Sequence, residues 1–268
     1  MGLKPEWMTA LETILKNENM EVESLNHEYF HLLFIPDGRL VINLIPIIQQ
    51  YEPQELVQFQ ELYQHQNIQL IHLWEDVFLT KKVQVISRIK SILGQNQRIH
   101  GRKTKIVKIS QPEAELFLNK YHIQGNVGSR HRYGLSFQNE IVAVATFSNK
   151  RRMTRKSTDH TSAELIRFAT KDGYTVIGGL SKLVKHFVKT VAPNDVMSYA
   201  DRDWSLGKGY LSSGFKLYAE TPPATLLLNV NTLERYFSHR VPLKENEINN
   251  NSFVKIFNTG NLKYVLDF

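Results

Sequence analysis

Apolar residues follow two periods along this chain, and the alternation between them lays out its elements. Spacing of three and four over residues 5–19 predicts a first helix. Apolar runs at 29–35 (YFHLLFI) and 39–48 (RLVINLIPII), split by the turn residues Pro36-Asp37-Gly38, predict a hairpin. In the helix expected over 53–66, Leu56, Phe59 and Tyr63 fall on one face. A buried strand at 68–74 (IQLIHLW) and an amphipathic helix over 81–94, stopped at Gly94, complete a first α+β unit of about 100 residues.

Beyond His100 the pattern restarts. A strand at 105–109 leads into a helix at 112–121, with Pro112 suited to its first turn and Ser110 to its cap. The loop HIQGNVGSRHR (122–132) precedes two strands, YGLSFQ and IVAVATF, joined at Asn139-Glu140 as a second hairpin. A basic loop, a strand (AELIRFAT), a glycine turn (KDGYTVIGG) and a helix (LSKLVKHFVKTV) follow. Next come a strand (VMSYAD), the stretch WSLGKGYLSSG, and strands FKLYAE and ATLLLNV. The segments FVKIF and LKYVLDF around Thr259-Gly260-Asn261 predict a closing hairpin.

Charge changes this picture more than bulk composition does. The 268 residues carry a formal net charge of +7, but residues 1–100 hold 8 Lys and Arg against 12 Asp and Glu, and the rest hold 25 against 14. A basic half joined to an acidic one fits a polyanionic partner, since neutralising phosphates releases counterions. The chain has no cysteine, which excludes disulfides, thiolate metal sites and a cysteine nucleophile. No window approaches the length of a membrane span, and no basic region followed by an apolar run opens the chain. A cytoplasmic protein with no membrane partner is the expectation.

The order strand, strand, strand, glycine turn, helix, strand, helix, strand resembles the GCN5-related N-acetyltransferase fold. KDGYTVIGGLSKLVKHF stands where that fold binds the pyrophosphate of coenzyme A, and Tyr210, Gly214 and Phe215 match its last helix and the strand after it. Within that superfamily, residues 100–230 are most similar to Mom-type phage DNA-modification proteins. The residues carrying the likeness are Glu164-Leu165-Ile166-Arg167-Phe168, Gly179-Leu180-Ser181-Lys182-Leu183, Ser198-Tyr199-Ala200-Asp201 and Gly207 to Tyr210. The resemblance implies an acyl donor, with acetyl-CoA as the candidate, and transfer to the exocyclic amine of adenine in DNA. IQLIHLWEDVFLTKKVQVISRI (68–89) resembles the closing segment of very-short-patch-repair-type endonuclease domains found in phage homing endonucleases. LVINLIPII supplies no carboxylate on its strand, and Glu75-Asp76 alone makes a poor metal site. The first domain therefore reads as a degenerate nuclease-like unit kept for DNA contact or partner binding.

Individual residues each carry a functional and a structural reading. Asp201 ends a strand, where ligands of α/β sheets bind, and is the candidate base; a helix cap or a salt bridge is the competing role. Tyr199 and Tyr210 are candidates for orienting the donor or protonating a leaving group, set against aromatic packing with a satisfied hydroxyl. Gly178, Gly179, Ser181 and Lys182 form the candidate cofactor-binding turn, with Ser181 equally suited to an N-cap. Strand alternation puts Glu164 and Arg167 on opposite faces and favours Arg167 as the anion or base contact. His122 is a candidate for proton transfer, and Gln124 and Arg130 on the same loop are candidates for base and phosphate contact. Lys150, Arg151, Arg152, Arg155 and Lys156 put five cations into seven residues, a phosphate-binding loop or a solvated charged one. Arg235, Tyr236, His239 and Arg240 extend the basic character, and no metal site is expected.

These observations lead to an α+β protein of two parts. Residues 1–100 form the degenerate endonuclease-like domain, and residues 101–268 form the acetyltransferase-like mixed α/β domain that modifies nucleic acid. A non-catalytic DNA-binding protein of a mobile element, a homing-endonuclease relative that still cuts, and an acetyltransferase acting on a protein or small molecule are the alternatives.

Overall fold

A computed structural model of the chain describes residues 5–25, 27, 29–154, 157–237 and 252–268. Its elements in chain order are α1 (Glu6–Asn17), β1 (Glu23–Leu25), β2 (His31–Ile35), β3 (Leu40–Ile45), α2 (Pro53–His65), β4 (Gln69–Trp74), α3 (Glu75–Ile92), β5 (Gln97–His100), β6 (Lys105–Lys108), α4 (Gln111–Tyr121), β7 (His131–Phe137) and β8 (Glu140–Phe147). There follow β9 (Arg151–Arg152), β10 (Thr161–Thr170), β11 (Tyr174–Ile177), α5 (Gly179–Val191), β12 (Asp195–Asp201), α6 (Lys208–Leu211), β13 (Lys216–Glu220), β14 (Thr225–Asn229), β15 (Arg235–Phe237), β16 (Phe253–Phe257) and β17 (Asn261–Asp267). Among the described residues no helix is long and apolar enough to cross a membrane.

The chain divides into two compact units, and the division differs from the expected cut at residue 100. The first comprises Met1–Lys82, Asp201–Leu206 and Glu220–Asn261; the second comprises Val83–Ala200, Gly207–Ala219 and Leu262–Phe268. Hydrophobic periodicity identifies elements but not which core each one joins, so the returns of the chain are invisible to it.

In the first unit the expected hairpin forms, with β2 antiparallel to β3 from His31↔Leu44 to Ile35↔Leu40. β4 adds to β3 in parallel, giving the order β1-β2-β3-β4. All six residues of β3 are buried, as a central strand covered on both faces requires. α2 starts on Pro53 behind a capping box in which Glu52 and Glu55 satisfy each other's backbone N–H groups. α3 begins earlier than periodicity suggested, at Glu75, and changes direction at Lys81, whose φ of −132° and ψ of 32° are not helical.

The returning segments are pinned to this unit by charge. Arg202 reaches Glu61 at 2.6 Å, Glu220 at 2.8 Å and Gln60 at 3.1 Å. Buried Asp203 accepts from the backbone N–H of Thr259 at 3.0 Å and from its hydroxyl at 2.5 Å, and Trp204 is buried beside it in the sequence. Arg235 holds Asp76 by a fork of 2.6 and 2.7 Å, with Asp76 only 2% exposed. β14, β15 and β16 form a small antiparallel sheet, order β15-β14-β16. The closing hairpin does not form: β16 pairs with β14, and β17 joins the large sheet of the second unit. Gly260, at a φ of +88°, makes that parting possible, since a Cβ there would collide with the carbonyl of Thr221.

The second unit is built on a sheet of order β13-β17-β12-β10-β8-β7-β6, with β9 against β10. β7 and β8 are joined by Gln138 and Asn139 at φ of 50° and 63°, the positive pair that a two-residue hairpin turn of matching twist needs. α4 carries the cap expected at Ser110, which Glu113 extends into a capping box. The stretch after Gly173, read from sequence as a turn, contains β11, which pairs in parallel with β5. α5 packs Leu183, Val184 and Phe187 into the larger core, and α4 packs Ala114 and Leu118 into the smaller one.

The Asp76–Arg235 fork yields a stability prediction. Arg235→Met leaves Asp76 buried and unpaired, which lowers the unfolding free energy by about 3–5 kcal/mol, whereas Asp76→Leu combined with Arg235→Met recovers most of that loss. Urea denaturation of the three proteins checks it; a single variant as stable as wild type contradicts it.

Candidate active site of the second unit

The central event in the sheet is the end of one ladder. β10 and β12 run parallel and pair at Ser162↔Asp195, Ala163↔Val196 and Glu164↔Met197, and there the pairing stops, although β10 continues to Thr170 and β12 to Asp201. At the same place β10 shifts register against β8: Leu165 faces Phe147 and Arg167 faces Thr146, so Ile166 is an extra residue, a β-bulge. Ser198 lies at the end of the ladder. Its Oγ donates to the Leu165 carbonyl at 2.9 Å and accepts from the Tyr210 hydroxyl at 3.0 Å.

Core membership tells which side chain points where. Leu165 and Phe168 both pack on the α5 side, and Ala169 packs on the α4 side. Residues three apart share a face because the bulge reverses the alternation between them. Glu164 and Arg167 therefore both point to the α4 side, contrary to the expectation from unbroken alternation. On β12, Val196 and Ala200 pack on the α5 side. Ser198 shares that side and Tyr199 takes the other. Tyr210 packs against the α5-side core, stacked on Tyr264 at 5.2 Å. Its helix starts at Gly207, whose φ of +72° and lack of a Cβ are both required, because a Cβ would collide with the Tyr264 ring.

On the α5 side stands the candidate cofactor turn. Gly178 adopts the left-handed conformation at φ 71° and starts α5. Gly179 is packed so closely on Val176 and Leu135 that a Cβ would press into both. Helical hydrogen bonding begins with Lys182 N–H to the Gly178 carbonyl at 3.0 Å, which leaves the N–H groups of Gly179, Leu180 and Ser181 in the first turn, where an intrahelical acceptor does not exist. The Lys182 ammonium donates to the carbonyls of Gly101, at 2.9 Å, and Thr104. It ties the segment after β5 to the helix.

On the α4 side the loop after α4 closes on the bulge. Arg167 Nε donates to the Gly125 carbonyl at 3.1 Å. The Gln124 backbone N–H donates to Nδ1 of His122 at 3.1 Å, which puts the imidazole proton on Nε2. Burial, then the charges of Arg167 and Arg88, lower the His122 pKa to about 3, so its ring is neutral across the physiological range. Burial raises Tyr210 above 10 and keeps its hydroxyl protonated. Burial likewise raises Glu164, opposed by Arg167 and Arg151, and raises Tyr199, with the Glu164 charge adding to it.

Other expected residues lie elsewhere or serve the fold. Asp201 begins the first unit's return segment; its carboxylate accepts from Asp203 N–H at 3.1 Å and its carbonyl from Trp204 and Ser205, a turn-forming role. Gln124 and Arg130 are exposed, as are Lys150, Arg151 and Arg152, the last two on β9. Arg155 and Lys156, with His239 and Arg240, fall outside the described residues. Arg235 is taken by Asp76, and the Tyr236 hydroxyl donates to Glu234 at 2.5 Å. Sequence reasoning passed over Ser198 and Arg88. Ser198 stood inside the segment 198–201, whereas Arg88 lies on an amphipathic helix where a charged residue reads as solvent-facing.

No family model matches the chain, and no curated protein matches it. Among solved structures it is similar to a GNAT family acetyltransferase from Elizabethkingia anophelis with acetyl-CoA bound, at 16% identity over 62% of this chain and 99% of that one, TM-score 0.37. It is similar to a Bacillus subtilis acetyltransferase in complex with CoA, at 15% identity over 62% and 99%, TM-score 0.38. It is similar also to the ribosomal-protein-S18-alanine N-acetyltransferase from Escherichia coli, at 13% identity over 61% and 93%, TM-score 0.37.

Because its folded pKa of about 3 lies below the ordinary 6.5, His122 stays unprotonated while an exposed histidine titrates. In histidine-selective NMR between pH 8 and pH 4, the His122 ring resonances are expected to stay flat; a midpoint near 6.5 contradicts the site geometry described above.

Proposed function

We propose that the second unit is an acyltransferase of the GCN5-related type that takes acetyl-CoA as donor and a nucleic-acid base amine, that of adenine in DNA, as acceptor. The observation that carries this reading is the stopped ladder between β10 and β12. Two parallel strands that cease to pair leave facing edges of backbone N–H and C=O groups, and an extended ligand with amide groups completes such edges as an added strand does. The pantetheine arm of acetyl-CoA has that chemistry. The first-turn N–H groups of α5, behind Gly178, suit its diphosphate.

In this reading the thioester carbonyl lies at the end of the ladder, near Ser198 and Tyr210. A base amine is unprotonated at neutral pH, so it attacks without prior deprotonation. The C–N bond forms and the C–S bond breaks. The departing thiolate takes the Tyr210 proton, and the proton released by the nitrogen returns to the Tyr210 oxygen. Burial, which keeps Tyr210 protonated, suits it to that first step. Ser198, bonded to both Tyr210 and the Leu165 carbonyl, positions the hydroxyl. Asp201 has no part in this scheme, since its carboxylate closes the turn at 201–205. Support for a nucleic-acid acceptor comes from the basic excess beyond residue 100 and from exposed Lys150, Arg151 and Arg152.

Calorimetric titration with acetyl-CoA tests the donor half, and mass spectrometry of nucleosides from DNA of expressing cells tests the acceptor half. Wild type is expected to bind acetyl-CoA and to produce an acylated nucleoside. Tyr210→Phe is expected to bind the donor equally and to form adduct about 100-fold more slowly or worse. Failure to bind acetyl-CoA overturns the reading. In a DNA-binding assay, replacing Lys150, Arg151 and Arg152 together by Ala is expected to flatten the dependence of log K on log salt by about 2–3, near 0.9 for each phosphate no longer neutralised; an unchanged slope removes these residues from the interface.

A further inference from the structure

The α4 side of the ladder's end holds more cationic groups than acyl transfer itself requires. Three arginines from different elements lie on this side, and one of them, Arg132, donates from Nη1 to the Ser129 carbonyl. Arg167 is turned to this side by the bulge at Ile166 and bonded to the His122 loop at Gly125. Arg132 stands on β7 two strands away, at about 10 Å, in register with Thr146, which is itself in register with Arg167. Tyr133 packs on the α5 side, so Arg132 faces the α4 side. Arg88 comes from α3. Gln84, one turn earlier on the same helical face, donates to the Asn119 carbonyl near the end of α4 at 3.2 Å, which brings the Arg88 turn beside His122. The charges of Arg88 and Arg167 act on the same two groups, His122 and the Tyr210 hydroxyl. Between Arg132 and Arg167, Thr146 is fully buried and its Oγ1 finds no hydrogen-bond partner among the described residues.

We propose that this face is an oxyanion site in which Arg88 and Arg167 grip a phosphate group of the acceptor beside His122, so that the acceptor is a phosphate-bearing amine. Guanidinium forks match the paired oxygens of a phosphate, and held by different elements they fix its position as well as its charge. The Nε2–H of His122 is left as a donor to the same anion, because Nδ1 already accepts from Gln124. Arg132 adds positive potential from the sheet. The inference rests on the acyltransferase reading for the word acceptor, but the anion site itself does not depend on acetyl-CoA. A phosphate held here has two sources, a nucleic-acid backbone and a small phosphorylated amine.

The test uses the full chain with histidine-selective ¹³C labelling, the His122 resonance being assigned by its loss in His122→Gln. Inorganic phosphate is titrated at constant ionic strength, with and without saturating acetyl-CoA. A saturable shift of His122 in both conditions is expected, and it is expected to weaken at least tenfold in Arg88→Met and in Arg167→Met. Each variant is expected to bind acetyl-CoA within twofold of wild type. Arg88→Lys, which keeps charge but loses the fork, guards against a misfolded methionine variant and is expected to fall between. A His122 resonance that ignores phosphate, variants that respond as wild type does, or a response abolished by acetyl-CoA each overturns the proposal. Failure to bind acetyl-CoA sinks the enzymatic reading instead, and the titration without it still decides the anion site. Adenosine monophosphate and a short oligoadenylate separate the sources: tighter binding of the oligonucleotide assigns the phosphate to a backbone, and equal binding assigns it to a small molecule.

Discussion

One extra residue in one strand organises the second unit. Ile166 interrupts β10 at the point where its pairing with β12 stops, and two consequences share that origin. The strand edge is freed from its parallel neighbour, and the side chains beyond the bulge exchange faces. Without the bulge Arg167 would point into the α5-side core beside Leu165, where a guanidinium without a partner is costly. With it, Arg167 reaches the loop after α4, and Leu165 and Phe168 both stay in the apolar core. The cost of an irregular strand is met by hydrogen bonds from Ser198 and Arg167, which take up the Leu165 and Ile166 carbonyls.

The two faces of the sheet thus carry different chemistry and meet at the ladder's end. The α5 side is glycine-rich at its helix start and otherwise apolar, suited to a long ligand held by backbone groups. The α4 side has an apolar core of its own around Leu118, Val144 and Ala169, and beside it, at the ladder's end, the polar groups of Arg167, Glu164 and His122. Tyr210 is packed into the first while feeling the charges of the second. A buried hydroxyl between two such environments keeps its proton, because desolvation opposes the phenolate more than distant guanidinium groups favour it.

Elements were legible in the sequence wherever local physics decides them. The hairpins at 31–45 and 131–147, the cap at Ser110, and α5 with its apolar face all follow from period, turn residues and capping, although α5 is capped by Gly178 and not by Ser181. What escaped depended on long-range pairing. FVKIF and LKYVLDF look like a hairpin because both alternate around Gly260, yet they join different sheets. Asp201-Arg202-Asp203-Trp204 looked like a site because charges gather at a strand end. They gather because Arg202 and Asp203 hold a returning segment to Glu61, Gln60 and Thr259. The faces of Glu164 and Arg167 were misassigned for one reason: a bulge has no composition of its own.

The path of the chain bears on how the molecule is made. It passes between the units at 82/83, 200/201, 206/207, 219/220 and 261/262, and β17 lies between β13 and β12. The large sheet therefore has a vacant slot until residue 267 has left the ribosome. Until then, β12 and β13 present open edges of the kind that other nascent chains pair with. Residues 261–267 are thus the segment that converts two open edges into the interior of one sheet.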